Sequence, residues 1–570
     1  MKKLGFLLII TFFCCEVYSQ SLTLANAGNS NYKILIPTDP DQNEVLAASK
    51  FQNYFKTITG VQLPIQNKEN LQQEKFAILI ANSRRFKNIK SIQHDGVVIK
   101  TEGSNLLICG GENRGVLYSV YTFFEKYLDC KFFALDEIKT PKKSKVEISQ
   151  IDYQYSPYFS FRSYYSLENE EKEYADFNKQ NYFFENRLYP AHSLAWLLPA
   201  SKYFESNPEF FALIDGKRNP TQICFSSDGA LKELIKILRL EMSLTPNQVW
   251  SVSHLDSPNY CHCNLCENKY KSGNGFCETL IPFVNKVARA FPEKTISTLA
   301  YNQSIFPSKL EKPEKNVEIM FCLTNLDRRY SITLDKSKGA EKLLKALQSW
   351  KKQTSDIFIW DYSVNYFHSL SPFPNIYTFP QNIKFFKDFG IKEVFMQGIG
   401  PQKGEFSELK SYIASKLLWN PNLDFNKLLD EFLINYYGNG WEEMKKYILT
   451  IDAESKKYQS PLNEYSNPTL YKNGFLSQNN ILNYKKIIES TLSKVQKDGK
   501  FYNRINKEIL TLEYAELEIQ SLYDKNKDFN TKNDFVKKLN NFKLETQKNN
   551  IKNLKNGEFT VDEFINQKEK

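Results

Sequence analysis

The chain has 570 residues, a formal net charge of +10 and 14% aromatic residues, with 33 Tyr and 43 Phe. By ordinary domain size this allows roughly two to four domains. The excess Lys is spread along the chain and thickens in the Lys/Asn-rich C-terminal stretch, which describes a solvated helical face and excludes a focused nucleic-acid patch. There is no Walker loop, dinucleotide fingerprint or HExxH.

In chain order, Lys2 and Lys3 precede an apolar run from Leu4 to Phe13, and Val17-Tyr18-Ser19 offers a cleavage site. A signal peptide over 1–19 is therefore predicted. No later stretch reaches the ~18 apolar residues of a membrane helix, so no integral membrane segment is expected after signal removal. The mature chain is expected to be exported, periplasmic or at the cell surface. Acylation at Cys14 or Cys15 would make it a lipoprotein, although Phe13 poorly fits the small residue such processing prefers.

Residues 20–150 alternate compact apolar runs ("YKILIP", "KFAILIAN") with helical periodicity ("EVLAASKFQNYFKTITG", "ENRGVLYSVYTFFEKYL"). "GVVIKTEGSNLLICGG" reads as a hairpin turning at 102–105. A small α/β domain is predicted there. Residues 151–421 hold eight short apolar strands: "FSFRSYY", "RLYPAHSL", "QICFSS", "VWSVSHLD", "ISTLAYN", "VEIMFCL", "IFIWDYS" and "EVFMQGI". Helix candidates such as "GALKELIKILRLEMSL" and "GAEKLLKALQSW" intervene. That alternation predicts a (β/α)8 TIM barrel, with catalysis at the C-terminal ends of its strands. Residues 422–570 read as a helical region packing against the barrel.

His192, Asp256, Tyr301, Asp361 and Gln397 end strands on that face. Asp256, ahead of Ser257-Pro258, is read either as a catalytic carboxylate or as a turn cap. Asp361 lies between Trp360 and Tyr362 with Asn365 nearby, a set suited to stacking on a sugar and handling its hydroxyls. His192 and Trp196, His254, Tyr301 and Gln397 are further candidates for substrate binding. Cys261, Cys263, Cys266 and Cys277 form a C-x-C-x2-C-x10-C pattern, read as a disulfide staple, a structural zinc cluster or reduced thiols. A catalytic cysteine is not expected among them.

"YFESNPEFFALIDGKRNPTQICFSS", "VWSVSHLDSPNYCHCNLC", "PFVNKVARAFPEKTISTLAY", "IFIWDYSVN" and "SYIASKLLWNPNLDFNKLLDEFLINYYG" together resemble the bacterial family of domain of unknown function 4838. Part of that family is classed as glycoside hydrolase family 163, endo-acting β-N-acetylglucosaminidases that cut complex N-glycans. "GGENRGVLYSVYTFFEKYLDCKFFALDE" resembles the α/β domain preceding the barrel in α-glucuronidases and family 20 hexosaminidases. The chain departs from the family pattern at Ser253-His254-Leu255-Asp256, where the family has Ser-Gln-Asn-Asp. It departs again at Met396, where a Glu is common.

The resemblance implies a retaining, substrate-assisted β-N-acetylglucosaminidase acting on an oligosaccharide or glycoprotein glycan. Asp256 and Asp361 would be its carboxylates, and no metal or cofactor is required. The departures favour a catalytically silent glycan-binding protein as an alternative. A uronic-acid glycosidase is another, with Arg162, Arg328 or Arg329 available to meet the substrate carboxylate.

Overall fold

The structure is a computed structural model describing residues 21–86, 89, 92, 94–183, 185–189, 191–522, 529–555 and 559–569. The predicted signal peptide lies outside the described residues. The described residues form two compact units, one within 21–131 and 139–156, the other within 132–138 and 157–569.

The first unit is a six-stranded mixed sheet in the order Asp152–Tyr155, Val97–Glu102, Asn105–Gly110, Ala77–Asn82, Lys33–Ile36, Ile65–Asn67. The predicted hairpin is present, with Glu102 opposite Asn105. Helix Gln42–Thr59 starts at a reciprocal cap between Asp41 and Glu44 and stops at Gly60, whose φ of 78° lies in the left-handed region. Its Phe51 packs on Phe123 and Phe124 of helix Gly115–Tyr127, with ring centroids 5.6 and 5.0 Å away. Period-3.6 patterning thus became two helices joined through an aromatic core.

The second unit is built on a parallel seven-stranded sheet. Its order is Phe161–Ser166, Glu393–Gly400, Ile357–Tyr362, Val317–Cys322, Thr295–Ala300, Val249–Ser251, Arg187–Leu188. Strand alternation divides the side chains cleanly. Val317, Ile319 and Phe321 join the large core that includes helix residues Leu343 and Leu347, whereas Met320 and Cys322 join an inner cluster with Phe183, Leu299, Phe358 and Phe395.

Arg187, on one edge strand, closes the curl. Its guanidinium meets Glu318 at 2.7 Å and Glu393 at 2.5 Å, and sits 4.4 Å from the Phe358 ring centroid and 5.2 Å from that of Phe161, on the opposite edge strand. One cation there faces two carboxylates, so burial and the Glu318 charge push the Glu393 carboxyl above its ordinary range.

The predicted barrel-type α/β fold is present, with one strand placed differently. "QICFSS" does not join the sheet. Its first residues end strand Lys217–Ile223, which folds back antiparallel on Phe211–Ile214 through Asp215 and Gly216, both at positive φ (49° and 74°). An Asp-Gly pair in that conformation makes a tight hairpin turn. The strands on either side of it in sequence, Arg187–Leu188 and Val249–Ser251, pair directly with each other. The helices after residue 421 belong to the same compact unit as the barrel.

Candidate active site

At the C-terminal ends of the barrel strands a cleft of about 730 Å3 opens, with Asp256, His192, Tyr301, Trp360, Tyr362 and Gln397 on its walls. Trp196, Tyr366, Phe367, Tyr465 and Lys555 also line it. Aromatic faces with a few polar groups among them suit a ligand that is apolar on one face and rich in hydroxyls at its edges, as a pyranose is.

Asp256 is held by a side-chain scaffold. The strand that carries it continues past Ser251 through Val252 N–H donating to Ser297 O at 2.8 Å. Ser193 and Ser253 then lace two loops together: Ser253 N–H donates to Ser193 Oγ at 2.9 Å, and Ser193 N–H to Ser253 Oγ at 3.1 Å. Fully buried Gln222, from the hairpin, clamps Leu255 by accepting its N–H at 3.1 Å and donating to its carbonyl at 3.2 Å. The displaced third strand therefore supplies, through one amide, the backbone pairing that a strand beside residue 255 would have made. Asp256 itself is left 65% exposed at the cleft.

His192 faces it, with Nε2 at 4.0 Å from Asp256 Oδ1. Its Nδ1 lies 2.9 Å from the carbonyl of His254, which can only accept, so Nδ1 carries a proton and Nε2 is the nitrogen free to exchange one with Asp256. Among the described residues lining the cleft, Asp256 is the one carboxylate. Tyr301 and Tyr465 border it. Burial first raises both phenols above their ordinary range, with the Asp256 charge adding to it at Tyr301 and the neighbouring Tyr301 and Glu464 adding to it at Tyr465, so both stay protonated. Trp360 lines the cleft with its ring, while its indole N–H is buried and, among the described residues, without an acceptor.

His254 does not line the cleft. It is buried beneath Tyr301, its ring stacked on that ring at 12° and its Nε2 2.9 Å from Ser304 Oγ. Burial lowers its pKa from 6.5 to about 4. The fold therefore holds it neutral while the unfolded chain protonates it, so its contribution is complete above pH 6.5 and is lost as pH falls toward 4. The loss reaches roughly 3 kcal/mol. Urea midpoints at pH 7 and pH 4.5 should fall further for the wild type than for His254→Gln; equal falls would exclude this role.

Asp361 is corrected by the geometry. Register pairs Tyr362 with Gln397 and Asp361 with Met396, and only the first pair faces the cleft. Met396 lies in the outer core, so the residue facing the cleft on that strand is Gln397. Gly398 follows it where a Cβ would lie 2.2 Å from the Tyr165 carbonyl, a close approach that only glycine permits. Asp361 accepts from Arg328 at 2.5 Å and from Tyr362 N–H at 2.9 Å, and is buried with Glu464, 3.4 Å from Arg328 Nε.

Asn365 is likewise structural. It accepts from Phe367 N–H and His368 N–H and donates to the Ser466 carbonyl, shaping the loop that presents Tyr366 and Phe367. The three arginines available to a uronate in the alternative reading are elsewhere: Arg162 binds the Lys179 and Phe159 carbonyls, Arg328 is in the network above, and Arg329 pairs with Asp327.

The predicted cysteine set is corrected too. Cys277 is buried at the start of helix Cys277–Ala290, its Sγ 3.4 Å from the Ser304 carbonyl, while Cys224 joins Cys261, Cys263 and Cys266. Tyr465, Tyr366, Phe367 and Lys555 were not foreseen. Tyr366 and Phe367 lie on the loop that follows strand Ile357–Tyr362, whereas Tyr465 and Lys555 come from distant segments that carry no strand-end signal.

Comparison with solved structures finds a 4-O-methyl-α-glucuronidase of family GH115 with specificity for decorated arabinogalactans, at TM-score 0.55 and 11% identity, covering 92% of this chain and 77% of that one. This likeness is one of fold. A GH138 enzyme targeting pectin rhamnogalacturonan II matches at TM-score 0.45 and 10% identity, covering 94% and 98% of the two chains. A β-N-acetylhexosaminidase from Bacteroides fragilis matches at 0.43 and 11%, covering 73% and 91%. No curated protein sequence matches the chain. Among the described residues no helix is long and apolar enough to cross a membrane. The model of one family, domain of unknown function DUF4838, matches residues 132–448, more than half of the chain and every strand of the barrel sheet, and the chain belongs to that family.

Proposed function

We propose that this protein is a glycoside hydrolase that binds a sugar chain in the aromatic cleft, with Asp256 handling the proton. The observation that carries the reading is the pairing of one exposed carboxylate with His192 among stacking aromatics. Two-carboxylate glycosidases need a second acid ~5–10 Å away, and none lines this cleft among the described residues. We therefore read the route as the substrate-assisted, retaining one that the family resemblance implies, on β-linked N-acetylglucosamine of glycoprotein N-glycans. The acetamido group is then the nucleophile and Asp256 the one carboxylate among the described residues lining the cleft.

In that route the acetamido oxygen of the substrate attacks the anomeric carbon as Asp256, protonated, gives its proton to the departing glycosidic oxygen. Water then attacks the same carbon and gives a proton to the Asp256 carboxylate that the first step left bare, with His192 Nε2, 4.0 Å away, facing that carboxylate. The Tyr301 and Tyr465 phenols supply hydrogen-bonding groups for the acetamido group and ring hydroxyls, and the Trp360 ring lines the cleft beside them.

Two other readings each rest on an observation. The single carboxylate also suits a silent glycan binder, and Lys555 on the cleft wall suits a uronic-acid substrate. Incubation with N-glycoproteins and with uronic-acid oligosaccharides, read by mass spectrometry, decides between them. Released N-glycan supports the proposal. Binding without release points to the binder, and release of uronate to the third reading.

Trp196, 61% exposed and stacked on Tyr189 at 6.0 Å, offers a free face to a sugar. Trp196→Ala should weaken glycan binding by roughly tenfold, about 1.4 kcal/mol, without changing the melting temperature. Unchanged affinity in a glycan-binding titration would remove Trp196 from the site. Residues 1–19 support export as part of the same reading; an N-terminus at Gln20 in protein recovered from the cell envelope or medium would bear it out.

A further inference from the structure

We propose that Cys224, Cys261, Cys263 and Cys266 bind one zinc ion as a tetrathiolate, fixing the loop that begins at Asp256. Their four Sγ atoms lie within 4.8 Å of one another. Cys224 Sγ is 3.8 Å from Cys263 Sγ and 3.9 Å from Cys266 Sγ. Four sulfurs at ~2.3 Å from a zinc ion, at the tetrahedral angle, stand about 3.8 Å apart. All four cysteines are free of disulfides, and sulfurs bonded as disulfides would lie at ~2.05 Å.

The surroundings suit thiolates. Leu213 N–H donates to Cys261 Sγ at 3.3 Å, and Ser226 Oγ lies 3.2 Å from Cys266 Sγ, so two sulfurs have hydrogen-bonding neighbours of the kind that orient ligands. Ala212, Leu213, Ile214 and Tyr270 pack around the cluster. His262, between two of the cysteines, is taken by Glu267 at 2.5 Å and leaves the set at four sulfurs. Sequence spacing alone could not choose this set, because Cys224 arrives on the far end of the hairpin.

The ion would tie that hairpin end to the 256–263 loop and to the first turn of helix Asn264–Tyr270. Zn2+ binding releases the protons of the thiols it coordinates and involves no redox change. The inference stands apart from the proposed activity, since it concerns only metal and loop.

The test uses the full chain. Elemental analysis should find about one zinc per chain, released when the four thiols are modified by a mercurial. After chelation under reducing conditions, reloading with Co2+ should give the intense thiolate-to-metal charge-transfer bands of a tetrahedral sulfur site. Zinc below about 0.1 per chain overturns the proposal, whether the thiols prove free or disulfide-linked. Iron in place of zinc also overturns it.

Cys277→Ser should retain the metal, and loss there would overturn the ligand set. Cys224→Ser should lose it, with circular dichroism checking that the barrel persists; because that variant could misfold, the cobalt spectrum of the wild type carries the decision. Hydrogen exchange over 211–226 and 256–270 should quicken at least about tenfold on metal removal. Unchanged exchange would overturn the loop-fixing role.

Discussion

Asp256→Asn is expected to lower turnover of an N-glycan substrate by at least about a hundredfold. The substitution keeps the volume of the side chain and some of its hydrogen bonding but removes the ionisable proton. General acid–base help is typically worth ~10²–10⁴-fold, roughly 3 to 5 kcal/mol of barrier. Because Leu255 is held by Gln222 and the adjoining strand by the Ser193–Ser253 lacing, the backbone at 256 does not depend on the Asp256 side chain. Folding and glycan affinity should therefore change little. A turn cap would show the reverse pattern, about 1 kcal/mol of stability lost with turnover intact. Released glycan, measured beside the urea midpoint and the binding constant, separates the two.

Arg328→Met is expected to destabilise the barrel unit by about 3–5 kcal/mol, because it strands Asp361 and Glu464, both buried, without their common cation. The effect should be largest near neutral pH. Burial already raises the Asp361 carboxyl above its ordinary range against the pull of Arg328, and losing the cation raises it further. In the variant, acid would neutralise the stranded carboxylate in the folded state before it does so in the unfolded chain, so the deficit should shrink as pH falls. Asp361→Asn should lose stability while each folded molecule turns over normally. Denaturant unfolding at pH 7 and pH 5, with activity normalised to folded protein, checks both. A hundredfold loss of kcat in folded Asp361→Asn would restore it to the catalytic set.

The chain's alternating segments specified a good deal without any coordinates. Helix caps, the 102–105 turn and the apolar strand runs are local features, and local sterics and hydrogen bonding decide them. Strand ends also marked His192, Asp256, Tyr301 and Gln397 as neighbours in space, because parallel strands of a barrel deliver their C-terminal residues to one mouth.

The face of Asp361 was legible too, since residues adjacent on a strand point oppositely and Trp360 and Tyr362 cannot share a face with the acid between them. Composition obscured that rule, because an acid flanked by aromatics looks like a sugar site. The Asp215-Gly216 turn was a further unread local signal, and it decides which strand leaves the barrel.

Other choices belonged to tertiary structure alone. Whether a buried acid meets a substrate or an arginine depends on residues such as Arg328 and Glu464, 136 positions apart. The fourth sulfur at Cys224, the clamp of Gln222 on Leu255 and the Tyr465 wall of the cleft are long-range pairings of the same kind. Local propensity carries no information about partners so distant. They are selected only when packing the whole barrel makes each buried polar group find the one neighbour that can satisfy it.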